Sequence, residues 1–239
     1  MELQRIDKIL SSQNIASRSE IKAMIKAGRI TADGMTVKRP EEKFDPGTTE
    51  IRLDGEPVLF RKYLYIMMNK PQGVLSASRD SHARTVLDLL PPELYRRDLF
   101  PAGRLDKNTE GFILITNDGE LAHKMLSPKS HVYKLYEAVT DRELTQEDVI
   151  AFGRGITCAD TVFMPAEMKI TGKNRALVEI CEGKFHQIKR MFSAVNAEVV
   201  ALKRLRIGAV SLDGHLAPGE CRELTEKEII DILSLNHGI

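Results

Sequence analysis

Apolar and polar positions along this chain follow two rhythms, helical near its start and strand-like through its middle. Leu3, Ile6, Ile9 and Leu10 recur at helical spacing over residues 3–12. Ser17 and Glu20 stand three apart ahead of Ile21, Met24 and Ile25, a capping box followed by the apolar stripe of a second helix. Gly28 lies where such a helix is expected to stop. Residues 29–38 then read as a hairpin turning at Asp33-Gly34. Asp45-Pro-Gly47 and Asp54-Gly-Glu-Pro57 punctuate the end of this region, and Arg61-Lys62 begin a linker. The pattern predicts a small module over residues 1–60 and a larger domain over residues 61–239.

Strands dominate the larger domain. Residues 63–68, 112–115, 134–139 and 175–181 are predicted strands, with more near 198–213. Short helices are expected at 85–90, 120–126, from Thr145 to Gly153, over 185–196, and behind the cap pair Thr225 and Glu228. Strands outnumber crossover-length helices and the connections are irregular. The predicted fold class is therefore α+β: a mixed, mainly antiparallel sheet with flanking helices, preceded by a helix-helix-hairpin module.

The densest chemistry lies in residues 100–119. Pro101-Ala-Gly103 favours a turn, and Arg104 and Asp106 follow two residues apart. In extended backbone, positions i and i+2 project from one face, so guanidinium and carboxylate would share a space. The apolar run 112–115 reads as a buried strand, closed by Asn117-Asp-Gly119. A carboxylate held at the lip of such a strand suits a reacting group. A surface Arg–Asp pair beside a turn would have the same spacing.

Gly103-Arg-Leu-Asp106, with Thr109-x-Gly111 and Thr116-Asn-Asp-Gly119, resembles the signature of RNA pseudouridine synthases, most of all the RsuA type that modifies small-subunit ribosomal RNA. The resemblance spans nearly the whole chain. It takes in Met68-Asn-Lys-Pro-Gln-Gly73, Ser127-Pro128, Lys134-x-Tyr136, Glu182 through Phe192, and Leu216-x-Pro-Gly219. It implies that Asp106 is the catalytic carboxylate. Tyr136 would pack against the target base, and a cation from the His-Gln-x-basic segment would serve the carboxylate. It also implies that no cofactor or metal is needed. Two positions depart from the pattern: Phe185 stands where a tyrosine is expected, and Asn196 where a glycine is expected. Tyr133 is a weaker aromatic candidate, with no matching position.

On a helix over 185–196, Phe185, Ile188, Phe192 and Val195 share one face, Lys189 borders it and Arg190 points nearly opposite. A lysine at that edge either snorkels to water or meets a buried counter-charge. With the resemblance added, Lys189 is expected to meet Asp106, Arg104 to stand beside it, and Arg190 to face RNA.

Charge refines the picture. The net charge of +1 says nothing about nucleic acid, but residues 1–40 carry a net +4, as do residues 181–210. Arg18, Lys22, Lys26 and Arg29 fall along one side of the second helix and its end, with no acid interrupting the row. A solvated face would look similar, yet such a row suits phosphates. With the hairpin, it resembles the small RNA-binding module named after ribosomal protein S-four. Cys158, Cys181 and Cys221 are scattered and lack metal spacing, as do His123 and His186. No apolar run approaches the roughly 20 residues that cross a bilayer, and the start shows no basic leader with an apolar stretch. A cytoplasmic monomer without membrane contact is expected.

Pseudouridine formation exchanges a carbon–nitrogen glycosidic bond for a carbon–carbon one within a single nucleotide. One ionised aspartate suffices, whether it attacks the base or acts at the sugar. The expected partner is 16S ribosomal RNA, free or in an assembling small subunit. Alternatives are action on 23S ribosomal RNA and a non-catalytic assembly factor that binds RNA with both domains. A glycosidase would need two flanking acids, and Asp106 with Glu110 is poor geometry for that.

Overall fold

The computed structural model describes residues 3–158, 161–234 and 238–239. Contacts divide the chain into two units. The first comprises residues 1–63 together with Pro91–Leu99, and the second holds the remainder. The single cut expected after residue 60 thus becomes a boundary at Tyr63 plus one short segment that returns to the first unit. That return has a polar anchor: Arg96 donates to the Arg61 carbonyl at 2.6 Å and to Gln13 Oε1 at 2.8 Å.

In the first unit the helices are Ile6–Ser12 and Arg18–Lys26. Ser17 caps the second through a full capping box with Glu20. Leu3, read as part of the first helix, precedes it and is exposed. Ile6, Ile9, Leu10, Ile21 and Ile25 close over Ile30, Ala32 and Ile51. Strands run in the order Met35–Thr36, Ile30–Ala32, Ile51–Leu53, Glu56–Pro57, all antiparallel. Asp33 and Gly34 both take positive φ, as a two-residue hairpin turn requires.

The second unit is built on a mixed sheet whose path is Glu167–Gly172, Arg175–Ile180, Lys134–Thr140, Val199–Ile207, Glu110–Thr116, Tyr65–Lys70, Cys221–Glu223. Every pairing along it is antiparallel except one, where Val199–Ile207 runs parallel to Glu110–Thr116. The central strand Glu110–Thr116 is buried from Gly111 onward, with Tyr65–Lys70 along one edge. Phe100–Ala102 and Val199–Ile207 share its other edge. The fold is the mixed α+β arrangement expected. Helix Gly119–Leu126 covers part of this sheet with Leu121, Ala122 and Met125. Among the described residues, no helix is long and apolar enough to cross a membrane.

Two local readings need correction. The short helix expected over residues 85–90 narrows to the 3-10 helix Val86–Leu89, capped by Thr85 and Asp88. The helix expected over 185–196 is Gln187–Ala194. Phe185 lies outside it and is 69% exposed, because His186 takes a left-handed φ of 50° and turns the chain before the helix starts. Asn196, also left-handed at φ 58°, follows its end.

Candidate active site

Asp106 lies on the loop between the Phe100–Ala102 and Glu110–Thr116 strands. The loop is irregular in backbone but densely tied. Leu105 is buried, and its amide and carbonyl both bond Ser76 Oγ, at 3.0 and 2.9 Å. The Gly73 amide donates to the Lys107 carbonyl at 2.8 Å, and the Thr109 amide to the Asp106 carbonyl at 3.0 Å. Lys70, at the end of its strand, is fully buried. Its ammonium donates to the carbonyls of Pro71, Asp106, Lys107 and Thr109 at 2.9–3.2 Å. Burial brings this lysine down to about 8, although Asp106 and Glu110 pull the other way. A buried lysine thus joins the backbone amides in fixing the loop.

Above the loop sits the start of helix Gln187–Ala194. Lys189 Nζ lies 3.4 Å from Asp106 Oδ2, and His186 Nε2 lies 3.4 Å from Oδ1. The helix is pinned from below by Gln187, whose amide nitrogen donates to Glu182 Oε1 at 2.8 Å while its oxygen accepts from the Lys184 amide. Glu182 is buried and also pairs with Lys184 at 2.8 Å. Ile188, Met191 and Phe192 face the core, so Lys189 is left at the border, half-exposed over the carboxylate.

Tyr136 is buried on strand Lys134–Thr140 and stands opposite Arg204 in register. Arg204 donates to Tyr136 Oη at 3.3 Å and to the Phe112 carbonyl at 2.7 Å. Gly111 permits this approach. At φ +100°, a Cβ there would come 2.2 Å from the Arg204 carbonyl oxygen. Asp106, Tyr136, His186, Lys189 and the exposed Arg104 line one open cleft of about 420 Å³. Such a cleft can hold a flat base against an aromatic ring with the Asp106 carboxylate beside it.

The other expected binding residues fall elsewhere. Arg18, Lys22 and Lys26 are exposed on the first unit's second helix, with no ion-pair partner among the described residues. Arg29 is exposed too, but forms a bidentate pair with Asp54 at 2.8 and 2.5 Å. Arg190, expected to face RNA, instead donates to the Cys158 carbonyl and Thr161 Oγ1 and lies 5.1 Å over the Phe163 ring. A side chain opposite the apolar stripe has met a second layer of protein, the Ile156–Cys158 and Thr161–Phe163 hairpin.

Sequence reading gave no site role to Lys70, Lys134, His186 or Arg204, although the first three fall within the segments of resemblance. A usable signal existed for two of them. Lys70 ends an otherwise apolar strand, and Lys134 holds an inward position in the alternation of its strand.

Residues 64–194 match the family described as RNA pseudouridylate synthase, and residues 4–49 match the S4 domain. An uncharacterised RNA pseudouridine synthase of Bacillus subtilis (strain 168) is 50% identical over 230 residues, spanning 94% of this chain and 96% of that one. The ribosomal small subunit pseudouridine synthase A of Escherichia coli (strain K12) is 35% identical over 232 residues, covering 96% and 100% of the two chains. A pseudouridylate synthase crystal structure superposes with a TM-score of 0.68 at 31% identity, over 96% of this chain and 99% of that one.

Proposed function

The chain belongs to the RNA pseudouridylate synthase family, and we propose that it converts a uridine of small-subunit, 16S ribosomal RNA to pseudouridine in the cytoplasm. The observation that carries this reading is Asp106 held between Lys189 and His186, opposite a buried Tyr136 in one cleft. In the reaction the bond from C1′ to N1 breaks and one from C1′ to C5 forms. A proton leaves C5 and one is gained at N1, so nothing is consumed.

Asp106 is the nucleophile or base, with Lys189 and His186 each 3.4 Å from one of its carboxylate oxygens. Lys70 and Ser76 hold its backbone still, which preserves attack geometry. Tyr136 offers a ring for the uracil. Arg104, at the exposed rim, faces the gap left by a base drawn out of its stack or an adjacent phosphate. Arg18, Lys22 and Lys26 contact phosphates of the same RNA and raise the effective concentration of the target. Arg29 and Arg190 have structural partners and are secondary in this role.

Mapping of pseudouridine across ribosomal RNA from cells with and without this protein tests the assignment. One small-subunit site should revert to uridine on deletion and return with the wild-type chain, but not with Asp106→Asn. Return of the modification with Asp106→Asn would remove the carboxylate from the mechanism. Loss of a large-subunit site instead would move the substrate to 23S RNA.

A further inference from the structure

Lys134 and Arg204 are both only 4% exposed, and neither meets a carboxylate among the described residues. Lys134 reaches the Cys181 carbonyl at 3.3 Å. Arg204 spends Nε on the Phe112 carbonyl and Nη1 on Tyr136, which leaves Nη2 buried with no partner. The two side chains rise from neighbouring strands. Burial and the nearby Arg204 bring Lys134 down to about 8.

Both border a cavity of about 900 Å³ that also touches Arg104, Tyr136, Lys184 and Glu182. Glu182 adds no free negative charge there, since its carboxylate is taken by Lys184, Gln187 and the Met164 amide. The cavity therefore carries surplus positive charge. It adjoins the Asp106 cleft, with Arg104, Tyr136 and Lys184 common to both.

We propose that Lys134 and Arg204 form an anion subsite that binds a backbone phosphate of the RNA, next to the nucleotide held over Asp106. This rests on the reading of the cleft as a uridine site. Two adjacent buried cations are costly until an anion lies between them. A base carbonyl is a neutral acceptor, so it brings no charge to offset the two cations. RNA brings a full negative charge with each nucleotide, and a phosphate can accept from a guanidinium and an ammonium together. The subsite would fix the sugar–phosphate backbone on the Tyr136 side while the base meets the carboxylate, setting the depth to which a nucleotide enters.

Equilibrium binding of a short uridine-containing RNA oligonucleotide to the full-length protein, measured over a range of salt, tests this without relying on turnover. Lys134→Met should weaken binding about tenfold, the loss of one hydrogen bond to a charged group. It should also make the salt dependence shallower by about 0.7 in log–log slope, as for one single-strand phosphate contact. Lys134→Arg should keep both. In turnover assays Lys134→Met should raise KM more than it lowers kcat, with an unchanged melting curve as the folding control. Unchanged affinity and slope in Lys134→Met would overturn the subsite, and a loss confined to kcat would assign Lys134 to the base instead. A wild-type protein that binds the oligonucleotide with the expected slope but forms no pseudouridine in any ribosomal RNA would sink the functional reading and leave the subsite standing.

Discussion

The two units use basic residues in opposite ways. In the first, Arg18, Lys22 and Lys26 stand in water along one helix, where their charge is screened and their positions are loose. In the second, Lys70, Lys134 and Arg204 are buried, and each is held by at least one protein carbonyl. Exposed cations act through number: each phosphate neutralised releases counterions, whatever the exact geometry. Buried cations act through position, and their desolvation is offset only by the groups they hold. The first arrangement suits capture of any nearby RNA. The second suits placement of one nucleotide against one carboxylate.

The sharpest way to break this contrast is at the carboxylate itself. Asp106→Asn keeps the shape of the side chain and removes its charge, so turnover should fall to background while oligonucleotide binding persists. Lys189→Met, which takes away the cation 3.4 Å from Asp106, should cost about ten- to a hundredfold in kcat. Arg190→Met should leave kcat nearly intact and loosen the hairpin it anchors. Single-turnover kinetics on a ribosomal RNA fragment separate these. Equal losses at 189 and 190 would mean that overall charge, not placement, matters in the second unit.

A matched pair of glycine substitutions compares how tightly the two units are built. Gly111→Ala pushes a Cβ into the Arg204 backbone at a positive φ, and should cost roughly 3 kcal/mol or more. The melting temperature should drop by roughly 10 °C for a chain of this size. Gly34→Ala has the same φ problem but open space around it, so only the backbone penalty of about 1 kcal/mol remains. Calorimetry of the two variants checks the ratio. Similar losses would show that strain at φ, not the close approach of Arg204, sets the cost at Gly111.

Lys70 gives the contrast a pH dependence with two signs. Facing it are Asp106, Glu110, Arg204 and Lys189. In the fold its ammonium is held at about 8, against an ordinary 10.5. Between those values the unfolded chain binds the extra proton, so this residue's contribution to stability rises with pH across the window and is lost as pH falls through 8. Activity should run the other way. A neutral amine has two N–H donors for four carbonyls, so the loop loosens and kcat falls above pH 8. Lys70→Met should lower kcat about tenfold at neutral pH and flatten that alkaline limb. Stability and kcat profiles of wild type and variant, subtracted, isolate the residue. A limb that survives in Lys70→Met belongs to another group.

Legibility in the sequence followed the same divide. The mixed antiparallel sheet could be read because strands such as 112–115 are short, apolar and closed by turn residues, and because few helices are long enough to cross between parallel strands. The one parallel joint, at Gly111 and Arg204, has no local signature, since it depends on residues 93 apart in sequence meeting at a distance only glycine allows. Asp106 stood out through its turn and its spacing from Arg104. Lys70 did not, because a terminal lysine on an apolar strand looks like a solvent cap until the carbonyls around it are known. The exposure of Phe185 and the engagement of Arg190 were missed for one reason. Helical periodicity says which side chains share a face, and nothing about a left-handed residue that starts the helix late or a hairpin packed on its far side.

The smallest expected effect tests the exposed half of the comparison. Replacing Arg18, Lys22 and Lys26 together by alanine removes three exposed cations from one helix face. Alanine is the best helix former, and like charges four apart repel slightly, so the fold should be as stable as before or marginally more so. The Ser17–Glu20 capping box and the buried Ile21 and Ile25 remain, so the helix keeps both its start and its anchor. RNA affinity should fall, with the log–log salt slope shallower by up to about 2 if all three meet single-stranded phosphates. kcat at saturating RNA should stay within about twofold, because none of the three belongs to the Asp106 cleft. This separates capture from placement in one variant. A fall in kcat without a change in slope would put the basic helix face in the chemistry. An unchanged slope would take the RNA contact away from it altogether.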